Sequence, residues 1–153
     1  MKKYQASLRD VSCGHDVTIV EPSNLYECTL KDNSFVGPFC EIQNGVVIGK
    51  NTRIQSHSFI CELVTIGDDC FIGHGVMFIN DLFSEGKPSG NPKMWKKTNI
   101  SSNVSIGSNA TILPISICSN VVIGAGSVVT KNIVESGIYA GNPAVKMRDI
   151  DAK

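Results

Sequence analysis

The sequence predicts an all-β chain wound into a stack of coils, each made of short strands joined by bends. Three observations carry that prediction. The first is a spacing of six: Leu30, Val36, Ile42, Ile48, Ile54, Ile60, Ile66, Ile72 and Phe78 recur without a slip. A helix repeats at about 3.6 residues and a lone strand at about 2, so neither explains it. The second is glycine directly after the leading residue, at Gly37, Gly49, Gly67 and Gly73. The third is a small or β-branched residue in the fifth place, at Ser34, Cys40, Val46, Thr52, Ser58, Val64, Cys70 and Val76. A leading residue that points inward is flanked by the fifth, and glycine relieves crowding at the bend. No hexad can bury its apolar residue alone. Stacked coils can, because each covers the next and ladder bonds run between them. Three hexads make a triangular coil of 18 residues. A β-sandwich would show strict alternation and irregular turn spacing instead.

In chain order, Cys13, Ile19 and Leu25 keep the spacing, and a five-residue step leads to Leu30. After Phe78 the pattern stops in "NDLFSEGKPSGNPKMWKKTN", an extended loop over about 80–99. Gly86, Pro88, Gly90 and Pro92 oppose regular structure there. Met94 and Trp95 give the loop something to pack with. Long loops in compact proteins are usually functional. The repeat restarts at Ile100, Ile106 and Ile112, and a second five-residue step leads to Ile117, Ile123 and Val129. Both short steps predict tightened corners. A compact, partly helical tail is expected over 134–153, and the whole of 1–153 reads as one domain.

Lys plus Arg equals Asp plus Glu, at 14 each. A general binder of nucleic acid or anionic membrane would need a basic surplus, so neither partner is expected. The opening "MKKYQASLRD" lacks the apolar run of a signal peptide, and no apolar stretch is long enough to span a bilayer. The expectation is a cytoplasmic protein. The six cysteines form no C-x-x-C pair, so a zinc or redox motif is not expected. They read as free thiols in small buried positions. His15, His57 and His74 include no closely spaced pair, and no metal site is expected.

The hexad repeat resembles that of the hexapeptide acyltransferases, and "TILP…VVIGAGSVVTKNI…AGNPA" resembles the coenzyme A end of that family. The segments "NLYECTL", "FVGPFCEIQ", "SHSFICE" and "IGHGVMFIND" are similar to narrower relatives. These are the bacterial N-acetyltransferases of nucleotide-linked 3-amino sugars, of the UDP-2-acetamido-3-amino-2,3-dideoxyglucuronate N-acetyltransferase type. The resemblance implies a left-handed parallel β-helix and a homotrimer with active sites between subunits. It implies acetyl-CoA (acetyl-coenzyme A) as acyl donor, a nucleotide-linked amino sugar as acceptor, and a place in surface-polysaccharide (O-antigen, lipopolysaccharide) synthesis. The loop is then expected to wrap an adjacent subunit and wall the site.

Residues 18 apart lie above one another when nothing is inserted. The third hexad place holds Asn44, Glu62 and Asn80, a column that runs into the loop. At about 4.8 Å per coil, three polar side chains can grip one sugar and present its amine. In the enzymes the chain resembles, such a column belongs to the active site. The other reading is a solvent-facing polar corner. Asp81 is a further substrate-binding candidate or the start of a loop turn. Relatives that acylate hydroxyls use a loop histidine as general base, because a hydroxyl is a poor nucleophile at neutral pH. Residues 82–99 contain no histidine. An α-amino group has a pKa of about 7.7–8, and a comparable sugar amine is partly neutral without help, so positioning can suffice. Glu62 and Asn80 are therefore the catalytic candidates, with Glu62 able to accept an amine proton and Asn44 binding the sugar. His74 also sits in a third place, on another corner, as a candidate base or a hydrogen-bonded structural residue.

The resemblance places coenzyme A at Gly124, Ala125 and Gly126, where small residues let a pantetheine arm approach the backbone. Lys131, Lys146 and Arg148 are the candidates for its phosphates, and 141–144 for packing beside adenine. Two rivals stand beside the N-acetyltransferase reading: an O-acetyltransferase of a sugar or serine hydroxyl with His74 as base, and a non-catalytic β-helix subunit that serves assembly.

Overall fold

In the computed structural model, residues 1–3 and 5–151 are described; Tyr4, Ala152 and Lys153, the last two belonging to the expected tail, lie outside the described residues. Each hexad forms a strand of two or three residues that ends on the leading apolar residue, followed by a turn. The strands pair in parallel with those one coil away. Leading residues stack on leading residues: Leu25 on Ile42 on Ile60, Leu30 on Ile48 on Ile66, Val36 on Ile54 on Ile72. The result is a left-handed parallel β-helix with three faces. Face A carries Leu8–Arg9, Asn24–Tyr26, Glu41–Ile42, Phe59–Ile60, Met77–Phe78, Thr111–Ile112 and Val128–Val129. Face B runs from Ser12–Cys13 to Ser116–Ile117, and face C from Thr18–Ile19 to a C-terminal hairpin.

The nine leading residues from Leu30 to Phe78 are all buried, as are Ile100, Ile106, Ile112, Ile117, Ile123 and Val129. The fifth places are buried too, and four of them do more than fill space. Thr52 Oγ1 donates to the Gly67 carbonyl at 2.8 Å, and Ser58 Oγ to that of Gly73 at 3.0 Å. Cys40 and Cys70 reach corner carbonyls of the next coil in the same way, each at 3.2 Å. A buried carbonyl left unpaired is expensive, so hydroxyl and thiol residues suit this place. Glycine in the second place is imposed by the neighbouring coil: a Cβ on Gly49 would lie 2.2 Å from the Gly67 carbonyl oxygen.

The fourth place carries a rule not drawn from the repeat above. Its backbone is left-handed at Asn33, Asn51, Asp69, Asn103, Asn109 and Asn120, with φ between 54° and 60°. Asn and Asp tolerate this conformation better than other side chains. Phe39, His57 and Leu63 adopt it without that advantage, at φ 60°, 63° and 70°.

Three expectations need correction. Cys13 is exposed and Ile19 only half-buried, because no complete coil covers the first one. Cys118 is likewise half-buried. The tail is not helical: Gly137–Gly141 joins face C beside Val121–Ile123, and Ala144–Arg148 folds back antiparallel on it. The open edge of face C supplies hydrogen-bonding groups that favour strand over helix. The two short steps shorten a coil from 18 residues to 17, so that Leu25 pairs with Ile42 and Ile100 with Ile117. Among the described residues, no helix is long and apolar enough to cross a membrane.

Candidate active site

The corner between faces A and B holds the Asn44–Glu62–Asn80 column. Phe59–Ile60 enters it below Glu62, and Val64–Ile66 leaves it. Asn44 is exposed, while Glu62 and Asn80 are half-buried. The Glu62 peptide is held from both sides. Its N–H donates to Gln43 Oε1 at 3.3 Å, and its carbonyl accepts from Asn80 Nδ2 at 3.3 Å. Gln43 Nε2 in turn donates to Glu41 Oε1 at 2.8 Å. The Asn80 amide thus holds the Glu62 peptide through its Nδ2. Tyr26 lies lower on the same surface. Burial pushes its phenol above the usual pKa; Glu41 and then Glu62 add to the rise, and Arg9 opposes it.

The loop leaves this corner directly above the column. Ile66 pairs with Ile100, whereas Ile48 pairs with Ile66, so the coil holding the loop is 34 residues long instead of 18. Asp81 fastens the loop: Oδ1 accepts from the Phe83 N–H at 3.0 Å and Oδ2 from that of Ser89 at 2.6 Å. A short 3-10 turn, Pro92–Met94, follows, capped by the Asn91 side chain. The Lys96 N–H closes the loop on the Asn80 carbonyl at 2.8 Å. The indole N–H of Trp95 is buried without a hydrogen-bond partner. Both carboxylate oxygens of Asp81 thus accept from loop backbone, the geometry of a loop-starting turn.

His74 stands on a different corner, between faces C and A. It is exposed, and its backbone N–H donates to Ser108 Oγ at 3.2 Å. Gly124, Ala125 and Gly126 occupy that same corner two coils higher. Gly124 is half-buried and small for an internal reason, since a Cβ there would lie 2.9 Å from the Ala140 Cβ. Gly126 has a φ of 69°, and an added Cβ would meet nothing within 4 Å, so the outer side of this turn is open. The segment 141–144 is the bend of the C-terminal hairpin, tied to this coil by the Gly141 N–H on Ser127 Oγ at 3.1 Å. The two pieces expected at the donor end therefore meet. The three cations do not join them as a group. Lys131 is exposed on the corner between faces A and B. Lys146 is paired with Glu135 and with Asp149, the latter at 2.7 Å, and those partners raise its pKa. Arg148 donates to the carbonyls of Asp149 and Ile150.

Stacking at an offset of 18 makes the Asn44–Glu62–Asn80 column legible in sequence. Gln43 stands one place earlier in the hexad, above Tyr26 and below Cys61, and the third-place column does not include it. Within one chain the column and the Gly124–Gly126 turn lie at opposite edges of face A.

Family comparison reinforces this organisation. The pattern "Bacterial transferase hexapeptide (six repeats)" matches residues 27–62, and "Hexapeptide repeat of succinyl-transferase" matches 63–77 and 98–131. The gap in the second match is the loop. Together they cover more than half of the chain. Over 152 residues the chain is 32% identical to the bifunctional protein GlmU of Streptococcus uberis, an alignment covering 94% of this chain and 33% of that protein. The chain thus spans about a third of the length of this curated relative. A hexapeptide transferase family protein from Anaplasma phagocytophilum shares the fold at a TM-score of 0.74 and 18% identity, covering 94% of this chain and 82% of that one. A mutant of AntD, an N-acyltransferase from Bacillus cereus, in complex with dTDP and coenzyme A, does so at a TM-score of 0.72 and 22% identity, covering 91% and 82%. With its three-faced coil, its interrupting loop and both repeat patterns, the chain belongs to the bacterial hexapeptide-repeat transferases.

Proposed function

We propose that this protein is an acetyl-CoA-dependent N-acetyltransferase that acts on the amino group of a nucleotide-diphosphate-linked 3-amino sugar. The setting is cytoplasmic surface-polysaccharide (O-antigen) synthesis. The observation that carries the reading is the clamped Glu62: a half-buried residue whose peptide is fixed on both sides by Gln43 and Asn80, on a corner without histidine. Such a group suits an acceptor that is already nucleophilic and needs placing. Asn44 and Asn80 orient the sugar, and Glu62 accepts a proton from the amine as its nitrogen attacks the thioester carbonyl. The new N–C bond forms, the C–S bond breaks, and the departing thiolate takes a proton. Backbone N–H groups of the coil stabilise the oxyanion.

Gly124–Gly126 offers the open turn for the pantetheine arm, and Lys131 and Arg148 are exposed cations for its phosphates, Lys131 reaching them from the neighbouring subunit's A–B corner. Because the glycine turn and the column sit at opposite edges of face A, a site that uses both takes them from neighbouring subunits. A homotrimer of single-domain chains meets that requirement, with the loop walling the shared site.

The test is an acceptor screen with acetyl-CoA that follows free thiol. Glu62→Ala and Asn80→Ala are each expected to lower acceptor kcat/KM tenfold or more, about 1.4 kcal/mol of transition-state stabilisation, with coenzyme A binding kept. His74→Ala should lose less. The rate should rise with pH until the sugar amine is neutral and then level, in parent and His74→Ala alike. An inactive His74→Ala beside a near-normal Glu62→Ala would establish O-acylation instead. No coenzyme A binding at all would favour a non-catalytic subunit.

A further inference from the structure

The polar surface continues below Asn44. The Glu27 carbonyl accepts from the Gly45 N–H, which places Tyr26 and Glu27 one coil down on the same corner. Arg9 pairs in register with Tyr26 one coil lower still. Its side chain rises over the Tyr26 ring, with the guanidinium carbon 5.0 Å from the ring centroid. Nη1 donates to Ser7 Oγ at 3.0 Å and to Asn24 Oδ1 at 3.2 Å. Among the described residues no carboxylate forms an ion pair with Arg9. A guanidinium fixed by an aromatic face and two neutral acceptors retains its full charge and further N–H donors for an outside anion. Its planar fork matches phosphate oxygens.

A cleft of about 880 Å³ opens beside this cation, lined by Lys3, Gln5, Ser7, Arg9, Asn24 and Glu41. Glu41, at its upper edge, is bonded to Gln43, the same side chain that holds the Glu62 peptide. Cleft and column are therefore one continuous surface.

We infer that this cleft is a nucleoside-diphosphate subsite. The diphosphate lies on Arg9, with Lys3 as a second cation, and the attached sugar is directed up the corner to Glu62. The inference rests on the acceptor reading above and assigns the part of the chain that holds the nucleotide. From the level of Tyr26, where the guanidinium stands, to Glu62 is two coils, about 10 Å. A hexose joined to a diphosphate covers that span, and a free amino sugar does not touch both ends. The Glu41 carboxylate repels phosphate, so it keeps the diphosphate on the Arg9 side and accepts from a hydroxyl of the sugar or ribose.

The experiment is calorimetric titration of the full chain with UDP and, separately, with uridine. Arg9→Met keeps the length of the side chain and its packing on Tyr26 while removing the charge. Arg9→Met is expected to weaken UDP binding tenfold or more, Arg9→Lys to recover part of it, and coenzyme A affinity to stay unchanged in both. Uridine should bind weakly to all three proteins. UDP binding that is equal in parent and Arg9→Met, or uridine binding as tight as UDP, overturns the subsite. The acceptor reading is separable from it. Thiol release with a nucleotide-linked 3-amino sugar, without Arg9-dependent UDP binding, sinks the subsite alone. Arg9-dependent UDP binding with no amino-sugar acceptor sinks the acceptor reading and leaves the subsite standing.

Discussion

Asn51 holds a φ of 54°, and its side chain is one rung of a ladder on the corner between faces B and C. It accepts from Asn33 Nδ2 at 3.3 Å and donates to Asp69 Oδ1 at 2.9 Å. Ala and Gly at this position lose the same two bonds, so their difference isolates the backbone. Asn51→Ala is expected to be less stable than Asn51→Gly by about 1 kcal/mol, measured by chemical denaturation. At an ordinary extended position Gly would be the worse of the two. Equal stabilities would mean that the left-handed corner carries no strain. The cysteines differ by burial in the same residue-level way. Burial pushes the Cys28 thiol up to about 11 and that of Cys61 to about 12. Cys13 is exposed. Alkylation near pH 8, read by mass spectrometry, should modify Cys13 in the native protein and spare Cys28, Cys40, Cys61 and Cys70 until unfolding. Labelling of Cys61 at the rate of Cys13 would contradict the buried core.

The loop is attached through a few backbone groups. Asp81 gathers two of its N–H donors, and Lys96 closes it on Asn80. Its large apolar residues Leu82, Phe83 and Met94 are exposed, so little burial opposes its opening. Segments with few buried contacts open locally without global unfolding. Asp81→Ala is therefore expected to speed tryptic cleavage after Lys93 while leaving the melting temperature within a few degrees of the parent. Unchanged cleavage would show that the loop is held by something other than Asp81. A large fall in melting temperature would show that it belongs to the core.

At the scale of the whole molecule, the prism separates what the proposed chemistry must combine. The column is on one edge of face A and the Gly124–Gly126 turn on the other, with rigid ladders between them. Bending the coil to close that distance would break the register of the stacked isoleucines. Light scattering is expected to give a trimer. Mixed assemblies made from Glu62→Ala and Ala125→Trp chains should recover activity that neither variant has alone, because some interfaces then carry both intact edges. A stable, active monomer, or mixtures as inactive as their parents, would exclude a site shared between subunits.

Strands, register and core were legible in the sequence because every coil repeats the same contact at a fixed offset. Ile48 meets Ile66 for the same reason that Ile54 meets Ile72, so one spacing specifies them all. The Asn44–Glu62–Asn80 column followed from that offset. The left-handed corners were signalled only in part, by Asn and Asp in several fourth places, since Phe39, His57 and Leu63 take the same conformation. Other features have no offset to reveal them. Gln43 and Asn80 clamp Glu62 through side-chain bonds to its peptide, and residue type alone does not say which backbone group an amide will choose. Asp81 turned toward its own loop because unpaired N–H groups lay within reach. The tail became a hairpin because face C ended in an open edge at Val121–Ile123, and an edge exists only once the coils below it have stacked. Arg9 was placed over Tyr26, without a carboxylate, by the packing of the first two coils on face A. Repetition makes a contact readable from spacing, whereas a contact made once depends on which polar groups the finished stack leaves unpaired.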